Sequence, residues 1–380
     1  MKRSVVIILT LCFFMTLTTQ LMALEAPGNI FFHKQDGVYV IQPDGRDEKK
    51  ILEKAQGQVL PSPDGRKLLY VIDNALYISN MEDNTEKIIY QGNQDQLFPY
   101  RWLPDSDSFI FRTPDADKLT YYILSIGDKQ LKKLGSFYEP PSFSPNGKYW
   151  VYSDWTPGCS KSEVHGGNIG EEGNYVFTGR MTDVLSWDKD INAVLYGIND
   201  KLYGFDLDNR GRQIIPLRFK KIEIIAYGSS TMIFHYKNPD EDGEGLNIYD
   251  TEVGEQNTII DKVKGARKVS MNKAGDKIII FIPMDPDRFL WEGDLYFIDF
   301  RQGTANKITK DLGQRIFREI NMDYQWSPDG KYFVYDNIRM RYSKPKKTEL
   351  FMTEGKEKPH KMWKKKFFDQ LLYPTWAELK

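Results

Sequence analysis

The chain has 380 residues, with 52 basic and 53 acidic side chains, and its formal net charge of −1 supplies no global attraction to nucleic acid. Two cysteines, Cys12 and Cys159, are too few for a disulfide-stapled scaffold. No Pro/Ser-rich linker divides the chain and an internal repeat runs through it, so one domain is expected despite a length that ordinarily means two or three.

At the N-terminus, Lys2 and Arg3 precede an apolar stretch, 5–17, and Leu21, Met22 and Ala23 offer a small-residue cleavage site. That order is a secretory signal peptide over 1–23, with the mature domain over 24–380. Thr16, Thr18, Thr19 and Gln20 interrupt the apolar run, which falls short of the ~20 residues that a bilayer span requires. Leu11 before Cys12 does not suit lipidation. Cleavage leaves 50 basic against 53 acidic residues and Cys159 as the lone thiol, so the core and not staples must hold the exported fold. The expected location is the periplasm or the exterior.

The remaining chain repeats one unit, a tight turn and then a strand. The clearest copy is Trp326, Ser327, Pro328, Asp329, Gly330 and Lys331 ahead of Tyr332, Phe333, Val334 and Tyr335. Proline pre-sets φ, aspartate accepts a local backbone hydrogen bond, and glycine supplies the φ > 0 that closes the turn. Other copies are Ser62, Pro63, Asp64, Gly65, Arg66 and Ser144, Pro145, Asn146, Gly147, Lys148, with weaker ones around Leu103, Ser186 and Met271. Anchors at Ser62, Leu103, Ser144 and Ser186 step by 41, 41 and 42, and the 85 residues to Met271 make two units, with a degenerate anchor near Ser229. A period near 42, one four-stranded sheet each, is the mark of a β-propeller.

Within the clearest unit, 58–61, 67–72, 75–79 and 86–90 read as four strands of a meander, with turns at Asp73, Asn74 and at 82–84. The N-terminal unit supplies only three, at 29–33, 38–41 and 49–52, and the segment 371–376 carries an orphan first strand that would complete it. The expected architecture is therefore an all-β propeller of four-stranded antiparallel blades, its ring closed by the C-terminal strand. Innermost strands near Val59, Arg101, Ser142, Leu185, Ala226, Val269, Gln325 and Thr375 favour eight blades, with seven as the alternative.

These turn-and-strand units resemble the propeller repeats of the TolB family, periplasmic proteins of the Tol-Pal envelope system, and those of prolyl-oligopeptidase-type peptidases. The resemblance covers nearly all of the mature chain. TolB proteins carry an α/β domain ahead of a six-bladed propeller, whereas strands begin here at Asn29, so the resemblance implies a TolB-like propeller without that domain. The repeat occurs in binding proteins and in enzymes alike and does not specify function.

Function must therefore come from departures from the repeat. The segment 155–180 reads as the largest interruption and holds Trp155, Cys159, Glu163 and His165. A metal or nucleophile site there lacks a second Cys or His at ligand spacing, and a Gly-rich hairpin loop is the plainer reading. Residues 238–244 resemble half a calcium loop, but Tyr249 stands at the twelfth position in place of the bidentate Glu, which favours a solvated acidic turn. Arg288 and Trp291 lie in a loop mixing charge with aromatics, a composition suited to protein contact. The last unit is basic, ending in Lys364, Lys365 and Lys366, and reads as either a patch for an acidic partner, anionic surface or polysaccharide, or a solvated edge strand.

No catalytic signature is present: Gly228, Ser229, Ser230 is not a nucleophile elbow, and His33, His165, His235 and His360 fall in four different units. The expected function is an exported non-enzymatic binding scaffold, a monomer that needs no cofactor and holds a protein partner of the bacterial cell envelope. The alternative is a propeller enzyme, a polysaccharide lyase or hydrolase, with its site at the central channel. The expected contact residues are Trp155, His165, Arg288, Trp291, Lys364, Lys365 and Lys366, with no catalytic, metal or cofactor-binding residue.

Overall fold

The protein's structure is a computed structural model that describes residues 26–377, apart from 93–95, 117, 138–139, 145, 155–161, 172–173, 180–181, 189–192, 199–200, 208–210, 216–221, 229–230, 238–243, 251–252, 254, 261–266, 273, 284–292, 310–321, 342–343, 356–358, 367–371 and 373. The expected signal peptide, 1–23, lies outside the described residues.

The clearest repeat turns are built from an anchor serine. Ser62 Oγ donates to Asp64 Oδ1 at 2.6 Å and accepts from Lys67 N at 2.9 Å, while Gly65 N donates back to Ser62 O. Gly65 sits at φ 72°, where a side chain would be strained. Ser144 with Asn146, and Ser327 with Asp329, repeat the arrangement. At the weak anchor beside Met271, Asn272 does the serine's work, its Oδ1 accepting from Asp276 N and Lys277 N.

From each turn the chain runs up and down as an antiparallel meander. Among the described residues there are seven sheets of four strands and one of three, taken here as first to eighth in chain order. The second sheet is typical, with Gln56–Pro61, Lys67–Ile72, Ala75–Asn80 and Glu86–Gln91 from its central to its outer edge. The first is Thr375–Ala377, Asn29–Lys34, Gly37–Ile41 and Lys49–Leu52. Here Ile30 lies opposite Trp376, and Trp376 Nε1 donates to Pro27 O at 2.8 Å. The meander puts the described anchor turns at one end of their sheets, the turn face. Hairpin turns such as Asp73, Asn74 and the inter-sheet links gather at the other, the connection face.

Burial on both sheet faces explains the long apolar strands. Phe31, Val38 and Leu52 pack on Val59, Leu68 and Tyr70 between the first and second sheets. Ile30, Phe32 and Ile41 pack on Val334, Leu350 and Met352 between the first and eighth. Indoles tie the central strands together: Trp102 Nε1 donates to Leu60 O and Trp326 Nε1 to Ser270 Oγ, both at 2.9 Å.

The expected closed ring of eight equal four-stranded blades is corrected. The eighth sheet has three strands, Phe333–Arg341, Lys344–Thr353 and His360–Lys366. A 3₁₀ turn, Met322–Gln325, occupies the place where a central strand was expected near Gln325, and among the described residues Trp326 alone bridges to Phe333. Central strands touch from the first sheet to the second and from the second to the third. Phe98–Trp102 of the third and the two-residue strand Ser142–Phe143 of the fourth approach less closely among the described residues and meet through side chains, with the Tyr100 and Phe143 rings 6.0 Å apart and Arg101 Cζ 5.3 Å from the Phe143 ring. The repeat period fixed where turns fall, but it could not register that one unit spends its first strand on a turn.

Candidate functional site on the connection face

A cleft of about 220 Å³ opens on the connection face between the first and second sheets. Its wall comes from the hairpin end of the first sheet (His33, Lys34, Gln35, Gly37), the link Glu53, Lys54, Ala55, Gln56, and the hairpin end of the second sheet (Ile72, Asp73). Alternation along Asn29–Lys34 explains the floor. Phe31 and His33 share a sheet face, Phe31 enters the core between the two sheets, and His33, at the strand's end, is buried to 8% exposure. Burial disfavours the charged imidazolium and lowers the His33 pKa to about 4, so the ring is neutral at pH 7.

The rim is polar and exposed. Glu53 pairs with Lys50 at 2.5 Å, and Lys34 pairs with Glu48 while its Nζ lies 3.8 Å from the Tyr39 ring centre. Lys54 and Asp73 make no ion pair among the described residues. The cleft therefore offers one unengaged charge of each sign above a neutral donor-acceptor ring. Nothing in the spacing of the sequence marks this histidine; its signal is tertiary, because the second sheet buries it.

A second titratable group, half-buried, stands at the seam of the eighth and first sheets. Asp336 Oδ2 accepts from Leu372 N at 3.1 Å, and Leu372 O accepts from His33 N at 2.7 Å. Burial raises the Asp336 pKa above the usual carboxylate range, against the opposing pull of the Leu372 N–H. In the middle of the molecule, Tyr324 of the 3₁₀ turn accepts a hydrogen bond from Trp102 N at 2.8 Å, joining the central parts of the eighth and third sheets.

The residues singled out from sequence are not brought together. Trp155, Arg288 and Trp291 lie outside the described residues, as do Cys159 and 238–243. The expected interruption at 155–180 is largely strand: Ser162–Asn168 and Asn174–Gly179 are the outer half of the fourth sheet. His165 belongs to the first of these and stacks on Tyr152 at 5.1 Å. Lys364 is exposed on His360–Lys366, opposite Glu349; Lys365 and Lys366 end that strand and their side chains lie outside the described ones. The buried Glu349 takes its cation from Lys361, 2.8 Å away, so part of the basic run serves the fold.

No protein-family model matches the chain, and no curated protein matches it either. Among solved structures it is similar to TolB from Acinetobacter baumannii, at 13% identity over 76% of this chain and 65% of that one, with a TM-score of 0.39. It is also similar to a prolyl endopeptidase, at 13% identity over 82% of this chain and 50% of that one, with a TM-score of 0.51. An oligogalacturonate lyase in complex with manganese aligns at 12% identity over 82% and 95%, with a TM-score of 0.48. The chain thus spans 65% of the TolB structure and half of the peptidase. At such identities the likeness is one of fold alone: the peptidase alignment and the run of antiparallel sheets agree on a β-propeller architecture, which does not specify function.

Proposed function

We propose that the protein is an exported, non-enzymatic binding propeller that holds a protein partner of the bacterial cell envelope at the cleft between its first and second sheets. The observation that carries this reading is the cleft's composition. Lys54 and Asp73 present one charge of each sign on a rim set over rigid, packed strands, and a neutral buried His33 forms the floor. Paired opposite charges suit the mixed polar surface of a polypeptide better than a uniformly charged polymer. Loops and turns on a rigid scaffold are where binding residues concentrate.

The cleft also brings a histidine near two carboxylates, Glu53 and Asp73, which is what favours the second reading, an enzyme acting on polysaccharide. A general base works best with a pKa near the operating pH, and a His33 value of about 4 argues for binding instead.

The test is the double change Lys54→Glu with Asp73→Asn, which removes the carboxylate while asparagine tolerates the φ of 44° at that turn position. Both positions are exposed, so the fold should persist with stability changed by no more than about 0.5 kcal/mol. Capture of the partner from an envelope extract by the purified protein should fall about tenfold or more. Undiminished capture by the variant rejects the cleft as the contact. Release of new reducing ends from a panel of acidic polysaccharides, lost in His33→Phe, would establish the enzyme reading in its place.

A further inference from the structure

Among the described residues, the buried ionised side chains nearly all have their counter-charges. Asp276 meets Lys277 and Arg301 at 3.4 and 2.9 Å, Asp299 meets Lys277 at 3.6 Å, and Glu349 meets Lys361 at 2.8 Å. Arg112 does not. It is 5% exposed, its guanidinium makes no ion pair, and its Nε has no hydrogen-bond partner. A guanidinium cannot shed its proton to escape burial, and a buried charge is normally paired.

The surroundings of Arg112 are built. It lies on Ser108–Asp115 of the third sheet, opposite Phe98 on one neighbouring strand and Tyr121 on the other. The rings of Phe98 and Tyr100 stand 5.8 and 5.6 Å from its Cζ, and Nη1 reaches Tyr121 Oη at 3.4 Å. The nearest carboxylate along the strand is Asp115, three residues on and hence on the opposite sheet face. Its Oδ2 accepts from Thr120 and Ser136 hydroxyls at 3.0 and 3.2 Å. Aromatic faces thus cover the cation while the buried Nε keeps an unspent donor.

We infer that Arg112 is a binding site for a carboxylate, held by charge-assisted hydrogen bonds to the guanidinium fork between Phe98 and Tyr100. One guanidinium matches a monoanion with two oxygens; a dianionic phosphate would leave a charge uncompensated in a buried place. Phe98, half-buried and first on its strand, is the side chain whose rotation opens the site. The site belongs to the third sheet and is independent of the cleft proposed above.

The test uses the full chain and follows its thermal midpoint in sodium acetate against sodium chloride at equal ionic strength, with acetamide as the uncharged control. Acetate should raise the midpoint saturably, by on the order of 3–5 °C at about a hundredfold excess over Kd. Acetamide should not, and Arg112→Met should lose the response while melting no lower than the wild type in chloride. Saturation-transfer NMR of acetate on the wild type gives a readout that needs no variant. A short peptide and its C-terminal amide separate the sources: a larger shift with the acid form than with acetate assigns a polypeptide terminus, and an equal one assigns a small carboxylate. No shift and no saturation transfer with any carboxylate overturns the site, as does a response that survives Arg112→Met.

Discussion

At the residue scale, burial decides which side chains titrate. His33 has a folded pKa of about 4 against an ordinary 6.5. Between those values the unfolded chain binds a proton that the folded chain does not, so stability is complete above about 6.5 and falls as pH drops toward 4. The loss by pH 4 is on the order of 3 kcal/mol. His33→Phe, which cannot be protonated, should flatten that slope in denaturant melts across the window. Asp336 has the opposite sign. Its raised pKa means stability is lost as pH rises through the folded value. Asp336→Asn keeps an acceptor for Leu372 N–H and should melt above the wild type at pH 7, with the difference shrinking at pH 4. Ser327 shows the value of an anchor: Ser327→Ala removes the acceptor of Tyr332 N and the donor to Asp329. Chemical denaturation should report a cost of about 1–2 kcal/mol.

At the scale of elements, the first sheet depends on a strand more than three hundred residues away in sequence. Thr375–Ala377 covers the inner edge of Asn29–Lys34, and Trp376 packs with Ile30 and stacks on Tyr332. Trp376→Ala should cost about 3–5 kcal/mol. Deleting 373–380 should lower the thermal midpoint and expose a sheet edge that promotes aggregation. An unchanged melt and a monodisperse scattering profile after the deletion would show that the pairing contributes little. The eighth sheet manages its own missing strand differently. Its central place is filled by Met322–Gln325, held by Tyr324 to Trp102 and by Trp326 to Ser270.

At the scale of the whole molecule, the near-neutral net charge hides a concentration of lysines in the last sheet. Lys361 is committed to Glu349, whereas Lys364 is exposed. Replacing Lys364, Lys365 and Lys366 with Glu should leave the melt nearly unchanged. If this edge steers an acidic partner, the association rate at low salt should fall, with a smaller effect at high salt. Equal rates at both ionic strengths would mark these lysines as guards of an edge strand.

The sequence by itself determined where the turns and most strands lie. Ser-Pro-Asp-Gly geometry and two-residue alternation are local, and Lys67–Ile72, Gln56–Pro61 and the pairing of the C-terminal segment with Asn29–Lys34 could be read from them. Tertiary structure alone decided the rest. Ser162–Asn168 and Asn174–Gly179 are strands although glycines and polar residues disguise them, because neighbouring strands supply the hydrogen bonds. Among the described residues the last sheet carries a 3₁₀ turn where its first strand was expected, and there Tyr324 and Trp326 find partners in other sheets. His33 and Arg112 look ordinary in sequence; what sets the charge of one and leaves the other without a counter-ion is burial, which depends on residues distant in the chain.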